Sequence, residues 1–472
     1  MNSPVGVPFS LRTAATSLGG ALHPQCSEFS LITSVGIDSR HIEPGALFVP
    51  LPGRFTDGHD FIMQALENGA VLSLVSEHRA EHVFTELPRE LHQRLLIVDD
   101  ALSALQRLSR WYIDGRERLV KIAITGSNGK TTTKEIIASI LSREYSIFKT
   151  PGNYNSVIGV PIAAFGITDD HRYGVFELAM SERGEMAVLS RLVLPDVGVL
   201  TNIGVAHIGN IGSQQGIAEE KKAIFSSFSG RQRAFLPEDE PYYDYLAESI
   251  QGQVIPFGMH HTPGIQGVDD LGLDGVRVRW SNREMVFPLP GMHNLQNVLA
   301  SISVAVELGA SPESIIQGVE GVEPPFGRGQ ILRGEVTIIQ DCYNANPDSM
   351  RSALEFFRAV PWKGRKIAVL GDMLELGENS PGEHRRLLQS AVGFDHLYLV
   401  GEAFIKAAGE DSTVQENPGV FSTGRNTREI ISDVMDYLVS GDLVLLKGSR
   451  GIGLEAISER IQHAPQFGGA RC

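Results

Sequence analysis

The chain has 472 residues, enough for about three domains of ordinary size. Its 56 acidic and 41 basic residues leave a net charge of −15, which argues against a protein that coats nucleic acid but not against a local anion site. Hydrophobic residues make up 42% of the chain and charged residues 21%, which is typical of a folded protein rather than a disordered one. Its 50 glycines exceed the usual share of about 7% and indicate many tight turns.

The cysteines and the first residues predict neither a cross-linked nor a secreted protein. Cys26, Cys342 and Cys472 are far apart and odd in number, so we expect neither a disulfide framework nor a CxxC metal site, and we expect a cytoplasmic location. The first ten residues lack the basic start and apolar core of a signal peptide. The uncharged stretch 197–218 contains five glycines and several polar residues, which predicts a strand and a functional loop rather than a membrane segment.

The elements predicted first along the chain form a small α/β domain over residues 1–99. Short apolar runs such as SVGIDSR and GALFVPLPG alternate there with turns. Residues 100–118 place Leu102, Leu105 and Leu108 at helical spacing. This spacing predicts a helix that leads into the next domain.

The middle of the chain, residues 100–327, is predicted to be a second domain. It continues with a strand over 120–125, a Gly-rich turn and a helix from about 130 to 143. A further strand is expected to begin at Tyr173 and another at Val197. Strands that alternate with helices in this way predict a mostly parallel sheet.

The pattern starts again near residue 328, so residues 328–472 are predicted to form a third domain of doubly wound, Rossmann-like α/β type. The apolar runs VTIIQD, KIAVLGD, HLYLVG and LVLLKG each end in Gly or a charge, with helical segments between them. Ligands of such sheets bind at the carboxyl ends of the strands, which makes Asp341, Asp372 and Lys447 candidates, although each alone could be a surface charge. The run GSRGIG lacks the GxGxxG spacing, so a dehydrogenase is disfavoured.

The strongest local motif is IAITGSNGKTTTKE, residues 122–135, in which a Gly-rich turn separates a predicted strand from a helix. Inward-facing N–H groups and a helix N-terminus bind phosphate in such a turn. Lys130 is expected to reach the β- and γ-phosphates of ATP, and the Thr131 hydroxyl to hold Mg²⁺. Because Ile124 stands where the common P-loop has Gly, this loop is the shorter GxxGKT; the alternative is a Gly-rich turn with a chance Lys-Thr pair. The predicted ATP-binding residues of the loop are Gly126, Ser127, Asn128, Gly129, Lys130, Thr131 and Thr132.

Further polar positions fit a metal and anion site. Glu177 lies in a predicted strand, and a carboxylate beside a phosphate loop suits Mg²⁺, although a surface glutamate is the alternative. His207 lies in TNIGVAHIGNIGS, where by itself it would be a hydrogen-bonded loop histidine. Lys221 and Lys222 follow two glutamates on a predicted helix, a pattern that alone indicates a solvated charged face.

An ordered set of motifs resembles the Mur ligase family. The set includes ITGSNGKTTTKE, TPGNYNSVIGVP, FELAMSERGEM, EEKKAIF, GMHNLQN, FGRGQ, DCYNANPDSM, GDMLELGENSPGEH and LLKGSRGIGLE. It runs from DSRHIEPGALFVPLPGRFTDGHDF to KGSRGIGLE and so covers most of the chain. The resemblance implies a UDP-binding first domain, a central P-loop ATPase-like domain and a Rossmann-like last domain. DCYNANPDSM and GDMLELG resemble the family member that uses ATP to add D-alanyl-D-alanine to UDP-N-acetylmuramoyl-tripeptide, a step of peptidoglycan precursor synthesis, through an acyl phosphate.

The resemblance also implies roles for individual residues. Catalytic roles are implied for Lys130, His207, Lys221 and Arg328. Mg²⁺ is expected on Thr131, Glu177, His207 and Lys221, the last as a carbamate and chosen over Lys222 because it lies four residues before Phe225. The nucleotide is expected to contact Asn294, Asn297, Arg328 and Asp341 in addition to the loop. The other substrates are expected on Ser39, Arg40, Asn153, Asn155, Asn344, Asn346, Ser349, Lys447, Ser449 and Arg450.

Three alternatives stay open at this point. A different Mur ligase would share most of these motifs, whereas a folylpolyglutamate synthetase would begin near the phosphate loop and lack the first hundred residues. A nucleotide sensor or scaffold would keep the phosphate loop but need not keep Glu177, His207, Lys221 and Arg328 together. We expect a monomer that binds neither nucleic acid nor a membrane.

Overall fold

The computed structural model describes residues 2–20, 30–53, 55–410 and 421–467. Within these ranges the chain forms four sheets, and three of them are mainly parallel and flanked by helices. The predicted α/β class with parallel sheets is therefore confirmed.

The first sheet has five strands in chain order, with an antiparallel pair at one edge and parallel pairing elsewhere. The predicted helix after residue 100 is present, and it begins where the Asp100 carboxylate accepts a hydrogen bond from the Ser103 N–H. Its apolar stripe is buried and connects this sheet to the next one. The strands are β1 (Asn2–Ser10), β2 (Leu31–Gly36), β3 (Ala46–Phe48), β4 (Leu72–Ser76) and β5 (Leu95–Val98), and the helices are α1 (Leu11–Leu18), α2 (Ile62–Glu67), α3 (Glu77–Glu86) and α4 (Ala101–Asp114).

The second sheet has six parallel strands in the order β11-β10-β9-β6-β8-β7. The connection after β6 runs toward β7 on one side of the sheet, and the connection after its neighbour β9 runs toward β10 on the other side. The carboxyl ends of β6 and β9 therefore form a topological switch point, the place where ligands bind in such sheets. The strands are β6 (Val120–Thr125), β7 (Ile147–Lys149), β8 (Tyr173–Glu177), β9 (Val197–Leu200), β10 (Arg233–Pro237) and β11 (Gln253–Phe257). The helices are α5 (Lys130–Leu141), α6 (Gly159–Ala164), α7 (Glu185–Val193), α8 (Ile208–Ile211), α9 (Gln214–Lys222) and α10 (Tyr243–Ala247).

A small antiparallel sheet and two helices complete the middle of the chain. Alternating burial along β13 shows that one face of this sheet packs on the protein and the other faces solvent. The strands are β12 (Ile265–Asp270), β13 (Val276–Trp280) and β14 (Arg283–Phe287), and the helices are α11 (Leu295–Glu307) and α12 (Pro312–Glu320).

The last sheet has the order β15-β16-β20-β17-β18-β19, with one antiparallel pair, β15 with β16. Asp341 and Lys447 are paired in register at the carboxyl ends of two adjacent strands, as the sequence predicts. The strands are β15 (Gln330–Leu332), β16 (Thr337–Asp341), β17 (Lys366–Gly371), β18 (His396–Val400), β19 (Phe421–Gly424) and β20 (Leu443–Lys447). The helices are α13 (Pro347–Ala359), α14 (Ser380–Ser390), α15 (Glu402–Glu410), α16 (Thr427–Tyr437) and α17 (Glu455–Gln462).

Each mainly parallel sheet is buried on both faces. In β6, Ile122 and Ile124 belong to one apolar cluster and Ala123 to the cluster on the other face. In β3, Leu47 and Phe48 divide in the same way between two clusters. This two-sided burial explains why these strands are continuous apolar runs in the sequence.

The described residues include no helix that is long and apolar enough to cross a membrane. Cys342 has a free, buried thiol, and burial raises its pKa to about 12. Cys26 and Cys472 lie outside the described residues.

Candidate functional site

The phosphate loop connects β6 to α5 as the motif predicts. Gly129 precedes the helix with φ of 81°, a left-handed conformation that favours glycine. A Cβ at this position would lie 2.1 Å from Asn297 Oδ1, so the position also has no room for a side chain. The loop therefore needs glycine here for both its turn and its close packing against α11.

Two lysines converge on one carbonyl oxygen of this loop. Gly126 O accepts hydrogen bonds from Lys130 Nζ at 2.7 Å and from Lys221 Nζ at 3.0 Å. The plain interpretation of Lys221 as part of a solvated face is wrong, because only 1% of the residue is exposed. Lys222 points elsewhere and donates to the backbone oxygen of Tyr245. The structure thus brings Lys221, and not its neighbour, to the phosphate loop.

The environment of both lysines disfavours their charged forms. Burial lowers the pKa of Lys130 to about 8, and the charge of Arg328 adds to this effect. Burial, with the nearby Lys130 charge, lowers the pKa of Lys221 well below its usual range. Basic side chains placed this close together would regain their favoured charged forms when a polyanion binds between them.

Glu177 ends β8 beside the phosphate loop and is 2% exposed, so the alternative of a surface glutamate is wrong. Its Oε1 accepts a hydrogen bond from Asn155 Nδ2 at 2.8 Å. Its Oε2 is buried without a hydrogen-bond partner and lies 3.6 Å from Lys134 Nζ. A buried carboxylate oxygen left in this state fits a hard cation such as Mg²⁺.

The predicted metal ligands include a hydroxyl, Thr131, and a lysine, Lys221, in addition to Glu177 and His207. In the described part of the chain, no group of three or more His, Cys, Asp or Glu side chains could hold a metal ion. A site near Glu177 would therefore draw its other ligands from a hydroxyl such as that of Thr131, from nucleotide phosphates and from a modified Lys221. The Thr131 hydroxyl also accepts a hydrogen bond from Arg328, with 3.4 Å between Nη2 and Oγ1.

His207 is placed at the boundary with the last domain. Its Nδ1 lies 3.0 Å from Glu375 Oε2, and this contact lowers the pKa of Glu375. Upstream in the same loop, the Gly204 N–H donates to Ser127 Oγ at 2.8 Å. The loop that carries His207 thus contacts the phosphate loop at one point and the last domain at another.

The last domain reaches the phosphate loop directly. Asn346 Nδ2 donates to Asn128 Oδ1 at 2.7 Å, and the Val205 N–H donates to Asp348 Oδ2 at 3.0 Å. Asn346 also begins α13 through a capping box with Ser349, so both predicted substrate residues have a structural role as well. These contacts bring the start of α13 next to the phosphate loop.

Aromatic and basic side chains line the hinge between the two domains. The guanidinium of Arg328 lies 4.3 Å from the Tyr343 ring centre, and that of Arg450 lies 5.7 Å from the same centre. Lys447 Nζ contacts Asp341 Oδ2 at 2.9 Å and donates to Asn344 O at 2.8 Å. Lys447 therefore fixes the loop that follows β16.

Other predicted residues have mainly internal partners. Ser39 donates to Gln64, and Arg40 pairs with Asp38 in the first domain. The backbone oxygen of Asn153 accepts from the Asn155 N–H, and the Leu374 N–H donates to Ser449 Oγ. Asn294 and Asn297 are buried beside α5, where Thr133 Oγ1 donates to Asn297 Oδ1. Asp372 accepts from the first N–H groups of α15, so it is a helix cap.

Sequence reasoning missed two charged residues at this site. Lys134, in the quoted motif of the phosphate loop, is 1% exposed and contacts Glu177 and the backbone oxygen of Thr150. Glu375, in the quoted segment GDMLELG, meets His207 across the domain boundary. Both lie inside motifs used for the resemblance, but only a fold could show what they contact.

The comparisons with known proteins agree along most of the chain. Three family models match: "Mur ligase family, catalytic domain" over 31–112, "Mur ligase middle domain" over 124–305 and "Mur ligase, glutamate ligase domain" over 327–450. A curated relative, UDP-N-acetylmuramoyl-tripeptide--D-alanyl-D-alanine ligase of Treponema pallidum, is 39% identical over 90% of this chain and 92% of its own.

Solved structures show the same architecture. Crystal structure I of MurF from Acinetobacter baumannii has a TM-score of 0.86 at 29% identity and covers 98% of this chain and 100% of its own. MurF ligase from Thermotoga maritima in complex with ADP has a TM-score of 0.76 at 27% identity and covers 90% of this chain and 96% of its own. With these matches and the phosphate loop in place, the chain belongs to the Mur ligase family.

Proposed function

We propose that the chain is an ATP-dependent ligase that joins D-alanyl-D-alanine to UDP-N-acetylmuramoyl-tripeptide and releases ADP and phosphate. The name of its 39%-identical relative supports the two substrates. The observation that carries the proposal is the contact of Asn346 with Asn128, because it seats the last domain on the ATP-binding loop. A sensor or scaffold has no need of a second domain at that position, whereas a ligase must bring its second substrate to the activated first one.

The reaction needs positioning and charge neutralisation more than covalent help. The tripeptide carboxylate attacks the γ-phosphorus of ATP, the bond to ADP breaks, and an acyl phosphate forms. The dipeptide amine then attacks the acyl carbon, loses a proton and displaces phosphate through a tetrahedral intermediate. Lys130 and Arg328, which flank Thr131, would neutralise the transferring phosphoryl group.

Mg²⁺, when bound, would neutralise phosphate charge and orient the γ-phosphate. Thr131, Glu177, His207 and Lys221 are proposed to hold it. The buried Oε2 of Glu177, which has no hydrogen-bond partner, supports this role. Asn155 and Lys134, which contact the same carboxylate, would keep its orientation constant.

Lys221 is proposed to act as a carbamate. A free ammonium beside Lys130 would repel a metal ion, whereas a carbamate supplies an anionic oxygen. Burial and the nearby charge of Lys130 lower the pKa of Lys221 and so favour the neutral amine, which is the form that reacts with CO₂. The same change would turn the repulsion between the two lysines into an attraction.

We expect Lys221→Ala to lose nearly all ligation, because the metal would lose a ligand. Lys222→Ala is the matched control, since its side chain points to Tyr245 and should leave ligation intact. The measurement is ligation rate in CO₂-free buffer with and without added bicarbonate, which should restore the native enzyme only. Full activity of Lys221→Ala would sink the carbamate.

The overall reaction is tested by phosphate release from ATP with UDP-N-acetylmuramoyl-tripeptide, with and without D-alanyl-D-alanine. We expect release that depends on both substrates and is absent in Lys130→Ala. Release with neither substrate would instead identify a plain ATPase. Release with other amino acids in place of the dipeptide would point to another Mur ligase activity.

The proposal also covers the domain boundaries, the oligomeric state and the cellular location. We propose domain boundaries at 99/100 and 327/328, supported by the end of β5 at Val98 and the start of β15 at Gln330. Because one chain carries both Asn128 and Asn346, a monomer is sufficient for the site. We also propose that it works in the cytoplasm, where ATP is available.

A further inference from the structure

The loop that carries His207 is held by the last domain at several points. Besides the 3.0 Å contact between His207 Nδ1 and Glu375 Oε2, a Cβ on Gly209 would lie 2.8 Å from the Gly377 nitrogen and 2.9 Å from Glu375 O. The two backbones are therefore in direct contact. The hydrogen bond from the Val205 N–H to Asp348 adds a third attachment from the same domain.

Both partners in the central contact have unusual backbones. His207 has φ of 63° and Glu375 has φ of 66°, which are left-handed values that cost energy in residues other than glycine. Among the described residues only six that are not glycine have positive φ, and two of them face each other here. Such conformations persist where the surrounding structure holds them, and they cluster at functional sites.

An imidazole beside a carboxylate is a common arrangement at metal sites. An imidazole that binds a metal through one nitrogen commonly donates its other N–H to a carboxylate, which fixes the ring and makes it a better ligand. Because Mg²⁺ prefers oxygen ligands, a histidine that binds it depends on a carboxylate partner to make its ring nitrogen a stronger donor to the metal. His207 Nδ1 is buried and lies 3.0 Å from Glu375 Oε2 in an ion-pair contact that lacks hydrogen-bond geometry, which leaves Nε2 as the nitrogen for a metal.

We propose that Glu375 is a positioning residue that orients His207 for the metal-bound nucleotide, and that it does so only while the last domain is docked. The inference rests on the proposed function, because it takes His207 as a metal ligand. It predicts that the metal site is complete only when the domain that receives the dipeptide is in place. ATP would then be protected from hydrolysis until both substrates are present.

The test measures Mn²⁺ binding by electron paramagnetic resonance in the presence of the non-hydrolysable ATP analogue β,γ-imido-ATP. We expect Glu375→Gln and Glu375→Ala to weaken the affinity of one class of Mn²⁺ site by about tenfold to a hundredfold, and we expect His207→Ala to weaken the same class. The double variant with His207→Ala should bind no more weakly than His207→Ala alone. Glu378→Gln, an exposed glutamate in the same turn, is the matched control and should bind like the native chain.

The remaining outcomes separate this inference from the function beneath it. Because the Glu375 side chain is 60% exposed, its variants should keep the native melting temperature. A lower melting temperature together with weaker Mn²⁺ binding would indicate a merely structural role. Native Mn²⁺ binding by the Glu375 variants would overturn the inference. If His207→Ala also binds Mn²⁺ with native affinity, both the role of Glu375 and the metal role of His207 are overturned. Neither result would touch the ligase reaction, which is tested separately by substrate-dependent phosphate release.

Discussion

At the scale of single residues, the site is an arrangement of buried charge. Lys221 and Glu177 are buried, and Lys130 is half-buried, beside the phosphate loop of an acidic chain. Both lysines donate to backbone oxygen, and Glu177 Oε2 is left with no hydrogen-bond partner. Lys130 turns back onto Gly126 O and Ser127 O, which occupy the donors that a phosphate would take. A negatively charged ligand can therefore exchange these contacts for stronger ones.

The pKa of Lys130 leads to a pH prediction. Burial lowers this pKa to about 8, so the free enzyme loses the cation as pH rises through that value. Since the protonated form binds phosphate, we expect kcat/KM for ATP to fall about tenfold per pH unit above this pKa. Lys130→Arg should lack this fall up to about pH 10, because its guanidinium stays charged. The same alkaline fall in both proteins would count against the assignment.

At the scale of elements, the phosphate-loop helix α5 is held by close contact with α12. Gly318 of α12 is buried, and a Cβ there would lie 2.4 Å from Ile140 Cα and 2.7 Å from Ile140 N. Ser139 Oγ also donates to Gly318 O at 2.7 Å. The backbone distance between the helices is thus set by the absence of a side chain at one position.

Gly318→Ala should therefore destabilise the protein. Because the clash is with backbone atoms, we expect a loss of about 1–3 kcal/mol in the free energy of unfolding. Gly409→Ala is the control, since that glycine is exposed in α15 with open space for a Cβ, and it should be neutral or stabilising by up to about 1 kcal/mol. Urea unfolding followed by circular dichroism compares the two, and equal midpoints would contradict the packing argument.

At the scale of the whole molecule, a turn of the middle region clasps the last domain. Leu273, between β12 and β13, is buried in the apolar cluster of the last domain. Arg333 reaches back from that domain to Asp274, with 2.6 Å between Nη2 and Oδ1.

We expect Leu273→Ala to loosen the docked arrangement. The loss of about 2 kcal/mol would shift the balance between docked and undocked domains by a factor of up to about 30. Small-angle scattering without ligands should give a larger radius of gyration for this variant, and ATP with both substrates should reduce it. Leu374→Ala, which alters a leucine that is 47% exposed, should scatter like the native chain. Identical profiles for all three proteins would refute the clasp.

The sequence by itself determined the local features. The strand Val120–Thr125, the turn and the helix from Lys130 follow from apolar periodicity and glycine placement, which act over a few residues. The positions of Asp341 and Lys447 at strand ends were predictable for the same reason. The order of the motifs was enough to indicate the family.

Only the tertiary structure decided which side chains meet. The helical pattern does not distinguish Lys221 from Lys222, and only the family spacing to Phe225 favours Lys221. In the fold one is buried at Gly126 O and the other contacts Tyr245, because successive residues of α9 point in different directions. Asp372 is a strand-end acid like Asp341, yet it caps a helix. The pairing of His207 with Glu375 joins residues 168 positions apart (375 − 207), and no local pattern encodes a contact made by docking two domains.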